Sequence, residues 1–152
     1  MNGAGLVGFA DDTRIPWVTV FEGIELKVLR VVERQGIWVV RNRFAPGTSI
    51  EPHRHTGEVH GFTISGSWRY AEYGVDYPAG TYIHEPAGSV HTLTVPADRT
   101  EPADVLFVMQ GSNLVLGPGG EITRVDDGPT TLAFYLMLCD SLGLAAPPVL
   151  LE

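Results

Sequence analysis

The sequence predicts a single all-β domain, a sandwich or barrel of short strands followed by one short C-terminal helix. Three observations carry that reading. Short runs rich in β-branched and aromatic residues recur along most of the chain. Eighteen glycines and eleven prolines are spread between these runs instead of gathering into linkers. Only near the C-terminus do apolar residues recur at helical spacing.

Taken in order, the expected strands are Trp17–Phe21, Leu26–Val32, Ile37–Phe44, Phe62–Tyr73, Thr81–Ile83, His91–Val95, Val105–Met109 and Asn113–Leu116. Gly47, Gly57, Gly66, Gly74 and Gly80 fall at the joins, where turns need a residue free of a Cβ. The barrel core is therefore expected over about residues 17–125 and a helix over about 130–143 of one domain spanning 1–152. Thr130 or Thr131 can N-cap that helix after Gly128-Pro129. Leu132, Tyr135, Leu136 and Cys139 form its apolar repeat, and Gly143 and Pro147 end it. The helix is apolar on more than one face, so it should pack on the barrel or on a second subunit. Barrel edge strands also need cover, and a homodimer or homotetramer is expected, the two-fold dimer first.

The net charge of −8 and pI near 5.0 argue against a nucleic-acid partner, which selects basic stripes. No segment approaches the roughly 20 apolar residues of a membrane span. The N-terminal stretch MNGAGLVGFADD lacks a basic start and a long apolar run, so no secretory signal is expected and the predicted location is cytoplasmic. Cys139, the single cysteine, cannot form an intramolecular disulfide and reads as a small buried hydrophobe.

The chemistry concentrates in His53-Arg54-His55 and in Pro86-Ala87-Gly88-Ser89-Val90-His91. Alternate residues of a strand share a face, so His53 and His55 project together while Arg54 points away. A third histidine just after a Pro-x-Gly turn begins its own strand and could close a triangle. Imidazole is the commonest protein ligand for a metal near neutral pH. A lone strand histidine is usually structural, but Gly47 separated by five residues from His53-x-His55, followed by Gly80 separated by five residues from Pro86-x-Gly88-x-x-His91, forms an ordered pair of motifs.

This pair resembles the two motifs of the cupin superfamily, from about Trp17 to Met109. The resemblance implies a jelly-roll β-barrel with His53, His55 and His91 on one metal ion. The customary glutamate ligand of the first motif is absent: Val59 or His60 stands at its position, and Glu58 falls one residue early. Val95 replaces the asparagine that often ends the second motif. His60 becomes a fourth ligand only if a bulge resets the strand.

The stretch His53 to Tyr70, with His84-Glu-Pro-Ala-Gly-Ser-Val-His-Thr92, further resembles the 2,4'-dihydroxyacetophenone dioxygenase branch, to which acetylacetone dioxygenase is related. That resemblance implies a non-haem Fe(II) enzyme that cleaves a carbon–carbon bond beside a ketone with O2. It also places Glu85, six residues before His91, near the metal as a catalytic carboxylate. By its residue type alone Glu85 is equally a solvated turn carboxylate. Phe44, Phe62, Trp68, Tyr70, Tyr82 and Phe107 are candidate pocket walls, each also an ordinary core aromatic, and Arg41, Arg43 or Arg69 could face inward toward an anion. Fe(II) leads as cofactor, with a small ketone and O2 as partners. Zn, Ni, Cu or Mn stays open, since ligand type does not exclude them. So do a zinc hydrolase or isomerase and a metal-bearing sensor, although no helical partner-binding segment is expected ahead of the barrel.

Overall fold

The computed structural model describes residues 7–152; the first six residues of the N-terminal stretch read above lie outside the described residues. In chain order the strands are β1 (Val18–Phe21), β2 (Ile24–Val32), β3 (Ile37–Phe44), β4 (His53–His55), β5 (Val59–Ser65), β6 (Ser67–Tyr70) and β7 (Asp76–Pro78). They continue as β8 (Tyr82–Glu85), β9 (Val90–His91), β10 (Leu93–Thr94), β11 (Ala103–Gln110), β12 (Asn113–Leu116) and β13 (Ile122–Asp126). The helix α1 (Gly128–Ser141) and a terminal strand β14 (Leu150–Leu151) follow.

Three sheets build the jelly roll. The largest runs β1-β2-β3-β11-β5-β8, with β14 added parallel to β2 beyond the end of β1. A four-stranded sheet runs β13-β12-β4-β9, and a three-stranded one runs β10-β6-β7. The side-chain period of two decides which residues enter the interior. Along β3, Trp38, Val40 and Phe44 are buried, while Arg41 and Arg43 point to the other face. There Arg41 binds both oxygens of Asp104 and reaches Asp12, and Arg43 lies 4.0 Å over the Trp17 ring. Arg69 pairs with Asp76. Of the two placements open to these three arginines, the structure shows the exposed strand face: each is held there by a carboxylate or a ring.

Most expected strands form, with three differences. The run Phe62–Tyr73 breaks at Gly66, whose φ of 71° turns the chain. A Cβ there would sit 2.1 Å from the Pro102 carbonyl oxygen, so only glycine fits. The run His91–Val95 divides between two sheets, β9 pairing with β4 and β10 with β6. β13, largely exposed, and the short β7 and β14 escaped a reading that relied on apolar alternation.

The helix begins two residues earlier than expected, because Asp127 and not Thr130 or Thr131 is its N-cap. The Asp127 carboxylate accepts from the Thr130 N–H, and the Thr130 hydroxyl accepts from the Asp127 N–H, a capping box. Tyr135 and Cys139 are its buried side chains, and Tyr135 donates to the Pro16 carbonyl. Phe134, Leu136, Met137 and Leu142 remain exposed. No helix among the described residues is long and apolar enough to cross a membrane.

Candidate metal centre

Strand pairing brings the two histidine motifs together. β4 pairs antiparallel with β9 so that His53 lies directly opposite His91, and both His53 and His55 are buried on the inner face while Arg54 is exposed. The ring centres of His53 and His55 are 4.8 Å apart, those of His55 and His91 5.7 Å, and those of His53 and His91 6.5 Å.

Each ring is held by a second contact. His53 Nδ1 donates to the Glu51 carbonyl at 3.0 Å, and His55 Nδ1 donates to Asn113 Oδ1 at 2.7 Å. These bonds set the tautomers, leaving the Nε2 lone pairs free for a cation. Asn113 arrives from β12, in register with His55. The Ser89 hydroxyl spends its proton on the Pro86 carbonyl and so accepts from His91 Nε2, leaving the His91 lone pair on Nδ1. Tyr70 stacks on the His91 ring at 4.5 Å. Burial lowers the pKa of His53 and of His91 below the ordinary imidazole value, which keeps them neutral and able to ligate.

Glu85 completes the group. β5 and β8 pair with Val59 opposite Glu85, and both residues are buried on the inner face. The carboxylate missing from Val59 is thus delivered from the neighbouring strand. Its Oε2 lies 2.6 Å from His55 Nε2, and both atoms are buried without a hydrogen-bond donor. Two acceptors that close are stable only with a proton or a metal cation between them. One ligand atom from each of His55, Glu85 and His91 lies within 4.8 Å of the others. This donor set of imidazoles and a carboxylate suits a first-row divalent metal.

His60 is not part of this group. β5 and β8 stay in regular register through His60 and His84, so no bulge turns His60 inward and it faces the outside beside Glu58.

His53, His55 and Glu85 lie on the wall of a cavity of about 1060 Å³ between the large sheet and the β4–β12–β13 sheet. Phe44, Tyr70 and Phe107 line it as expected, with Trp38, Val40 and Leu93. Phe62 and Tyr82 do not, because each occupies an outward position of its strand. Trp68 is fully buried but packs behind Tyr70 and Phe107 instead of facing the space. The polar lining includes Asn42, Asn113 and Arg124, the last tied to Asp126 and Glu51. Asn113 and Arg124 escaped the sequence reading, because their place depends on β12 and β13 pairing beside β4, and neither residue carries a local motif.

Comparison with known proteins agrees with this architecture. A family model described as the ChrR cupin-like domain matches residues 8–113. No curated protein matches the chain in sequence. Among solved structures, a protein of unknown function with a cupin-like fold from Ralstonia eutropha JMP134 is 29% identical, with a TM-score of 0.87 over 94% of this chain and 90% of that one. An acetylacetone dioxygenase from Acinetobacter johnsonii shares the fold at 17% identity and a TM-score of 0.76, over 91% and 95% of the two chains. The anti-sigma factor ChrR of Rhodobacter sphaeroides, solved in complex with SigE, shares it at 16% identity and a TM-score of 0.55, over 66% of this chain and 52% of that one.

Proposed function

This chain belongs to the ChrR cupin-like family, and from that premise we propose that it is a non-haem Fe(II) dioxygenase cleaving a carbon–carbon bond beside a ketone. The substrate is a 2-hydroxyketone or β-diketone, with an aryl ketone such as 2,4'-dihydroxyacetophenone among the candidates. One observation carries the reading: His53, His55 and Glu85 line a large, mostly apolar cavity with buried His91 beside His55, and the facing acceptor atoms of His55 and Glu85 lack any donor.

His53, His55 and His91 hold the metal. When bound, Fe(II) supplies Lewis acidity toward the substrate oxygens and electrons for O2. Glu85 takes the proton that an incoming ketone must lose to become an enolate, and its burial places that base against the reacting carbon instead of in water. Tyr70, buried with an unpartnered hydroxyl, donates to a substrate oxygen and fixes the His91 ring by stacking. Phe44, Phe107 and Trp38 exclude water around the reacting bond. Both atoms of O2 enter the products, which are two carboxylic acids or an acid and an α-ketoaldehyde.

The apolar residues left exposed on α1 support a homodimer or homotetramer that covers them. Sedimentation at micromolar concentration should give at least a dimer, and a monomer would refute it.

The deciding experiment is metal analysis of protein purified without oxygen, followed by O2 uptake after Fe(II) loading with a panel of diketones and hydroxyketones. His53→Ala, His55→Ala and His91→Ala should each strip the metal or abolish uptake. The cupin-like fold of an anti-sigma factor supports a second reading, a metal-bearing sensor without turnover. Metal retention with no O2 consumption on any ketone would favour it.

A further inference from the structure

The pairing that turns Glu85 inward turns two histidines outward. His60 on β5 and His84 on β8 are direct partners across the antiparallel pair, with ring centres 5.3 Å apart. Glu58, just ahead of β5, reaches both: its Oε2 is 3.1 Å from His84 Nε2 and its Oε1 is 3.5 Å from His60 Nε2. One ligand atom from each of the three residues lies within 4.8 Å of the others. On the far side of His60, Nδ1 bonds to the Tyr82 hydroxyl. When the phenol oxygen accepts from Nδ1–H, the Nε2 lone pair is turned toward Glu58 and His84, as an outer partner commonly orients a metal-binding imidazole.

We propose that Glu58, His60 and His84 form a second divalent-metal site on the outer face of β5 and β8, distinct from the inner cluster and independent of any reading of it. Two imidazoles, one carboxylate and an open position for water suit a borderline ion such as Zn2+ or Ni2+. Metal–ligand bonds of about 2.0–2.1 Å set tetrahedral ligand atoms roughly 3.3 Å apart. These side chains are at least partly exposed, so modest rotation closes the group to that spacing. An ion bound at His84 Nε2 takes the place of the contact with Glu58 and requires the tautomer that carries its proton on Nδ1.

The position gives such an ion a consequence. β8 is the edge strand of its sheet and carries Glu85 on its inner face. An ion bridging His60 and His84 would fasten that edge to β5 and so brace the carboxylate of the inner cluster.

The test is Zn2+ titration of metal-free protein by calorimetry, with stoichiometry checked by elemental analysis. Wild type should bind one ion per chain more than the His60→Ala/His84→Ala double variant. Tyr82→Phe should retain that ion but bind it about tenfold more weakly. Thermal midpoints give a second readout, because an ion bound only by the folded chain raises the midpoint with its concentration. The His53→Ala/His55→Ala variant should keep a Zn2+-dependent rise that disappears when His84→Ala is added. An ion count that does not fall by one in the His60→Ala/His84→Ala variant would overturn the proposal. The difference is readable whether or not the inner cluster binds an ion, and it does not bear on ketone cleavage.

Discussion

Glu85→Gln should make the metal-free protein more stable while weakening its hold on a metal and the proposed turnover. In the metal-free fold, His55 Nε2 and Glu85 Oε2 are two buried acceptors 2.6 Å apart, with His55 Nδ1 already spent as donor to Asn113. Glutamine keeps the volume, removes the charge and brings an NH2 group that can donate to Nε2. A clash of acceptors then becomes a hydrogen bond. Leaving a buried polar group unsatisfied costs about 1–3 kcal/mol. For a chain of this size each kcal/mol moves the thermal midpoint roughly 2–4 °C, so the metal-free variant should melt about 2–12 °C higher at pH 8. The same hydrogen bond competes for the lone pair that would hold the metal. Metal affinity should therefore fall about 10–100-fold, and turnover on a ketone about 10²-fold from loss of the base. The assay is differential scanning calorimetry in chelator beside metal titration of the same samples. An unchanged or lower midpoint at pH 8 would refute the reasoning, because it would mean that a proton already joins the two atoms as an imidazolium–carboxylate pair.

Other outcomes follow from the same geometry. Val59→Glu/Glu85→Val moves the carboxylate to its register partner on the same buried face, and metal binding measured by titration should survive the exchange while Glu85→Val alone weakens it. Burial holds His53 and His91 below their ordinary pKa, so the unfolded chain takes up protons near pH 6.5 while the folded chain does not. Their contribution to stability is complete above about pH 6.5 and is lost as pH falls from there through the lowered folded values. Midpoints of chelator-treated protein between pH 8 and 5 should show this, with a flatter dependence in His53→Gln. Trp68, fully buried and donating to Thr63 Oγ1 at 2.9 Å, anchors the aromatic packing behind Tyr70. Trp68→Ala should cost about 3–5 kcal/mol by urea denaturation, and a loss below 1 kcal/mol would place the core elsewhere.

How much of this was legible depended on the range of the interaction. That His53 and His55 share a face follows from strand parity within three residues, and the Pro-x-Gly turn ahead of His91 is equally local. Their convergence followed once the two-motif pattern had been recognised. His60 could be placed only by knowing whether β5 bulges, and the observed pairing with β8 turns it outward. Phe62 and Tyr82 were misread as pocket walls for the same reason: aromatic character marks a strand but not which face it presents. Trp68 faces inward, yet a second layer of aromatic rings separates it from the cavity.

The sequence by itself determined the all-β class, the approximate C-terminal helix and the shared face of His53 and His55, because each rests on a local period. Only the tertiary structure decided that Glu85 stands across from Val59, that Asn113 orients a ring 58 residues away in the chain, and that His84 meets His60 on the opposite face. Those placements depend on register between strands distant in sequence. A shift of one residue would reverse every side chain on β8, sending Glu85 to solvent and His84 into the cavity. Register is set by the packing of whole sheets, and no single segment encodes it.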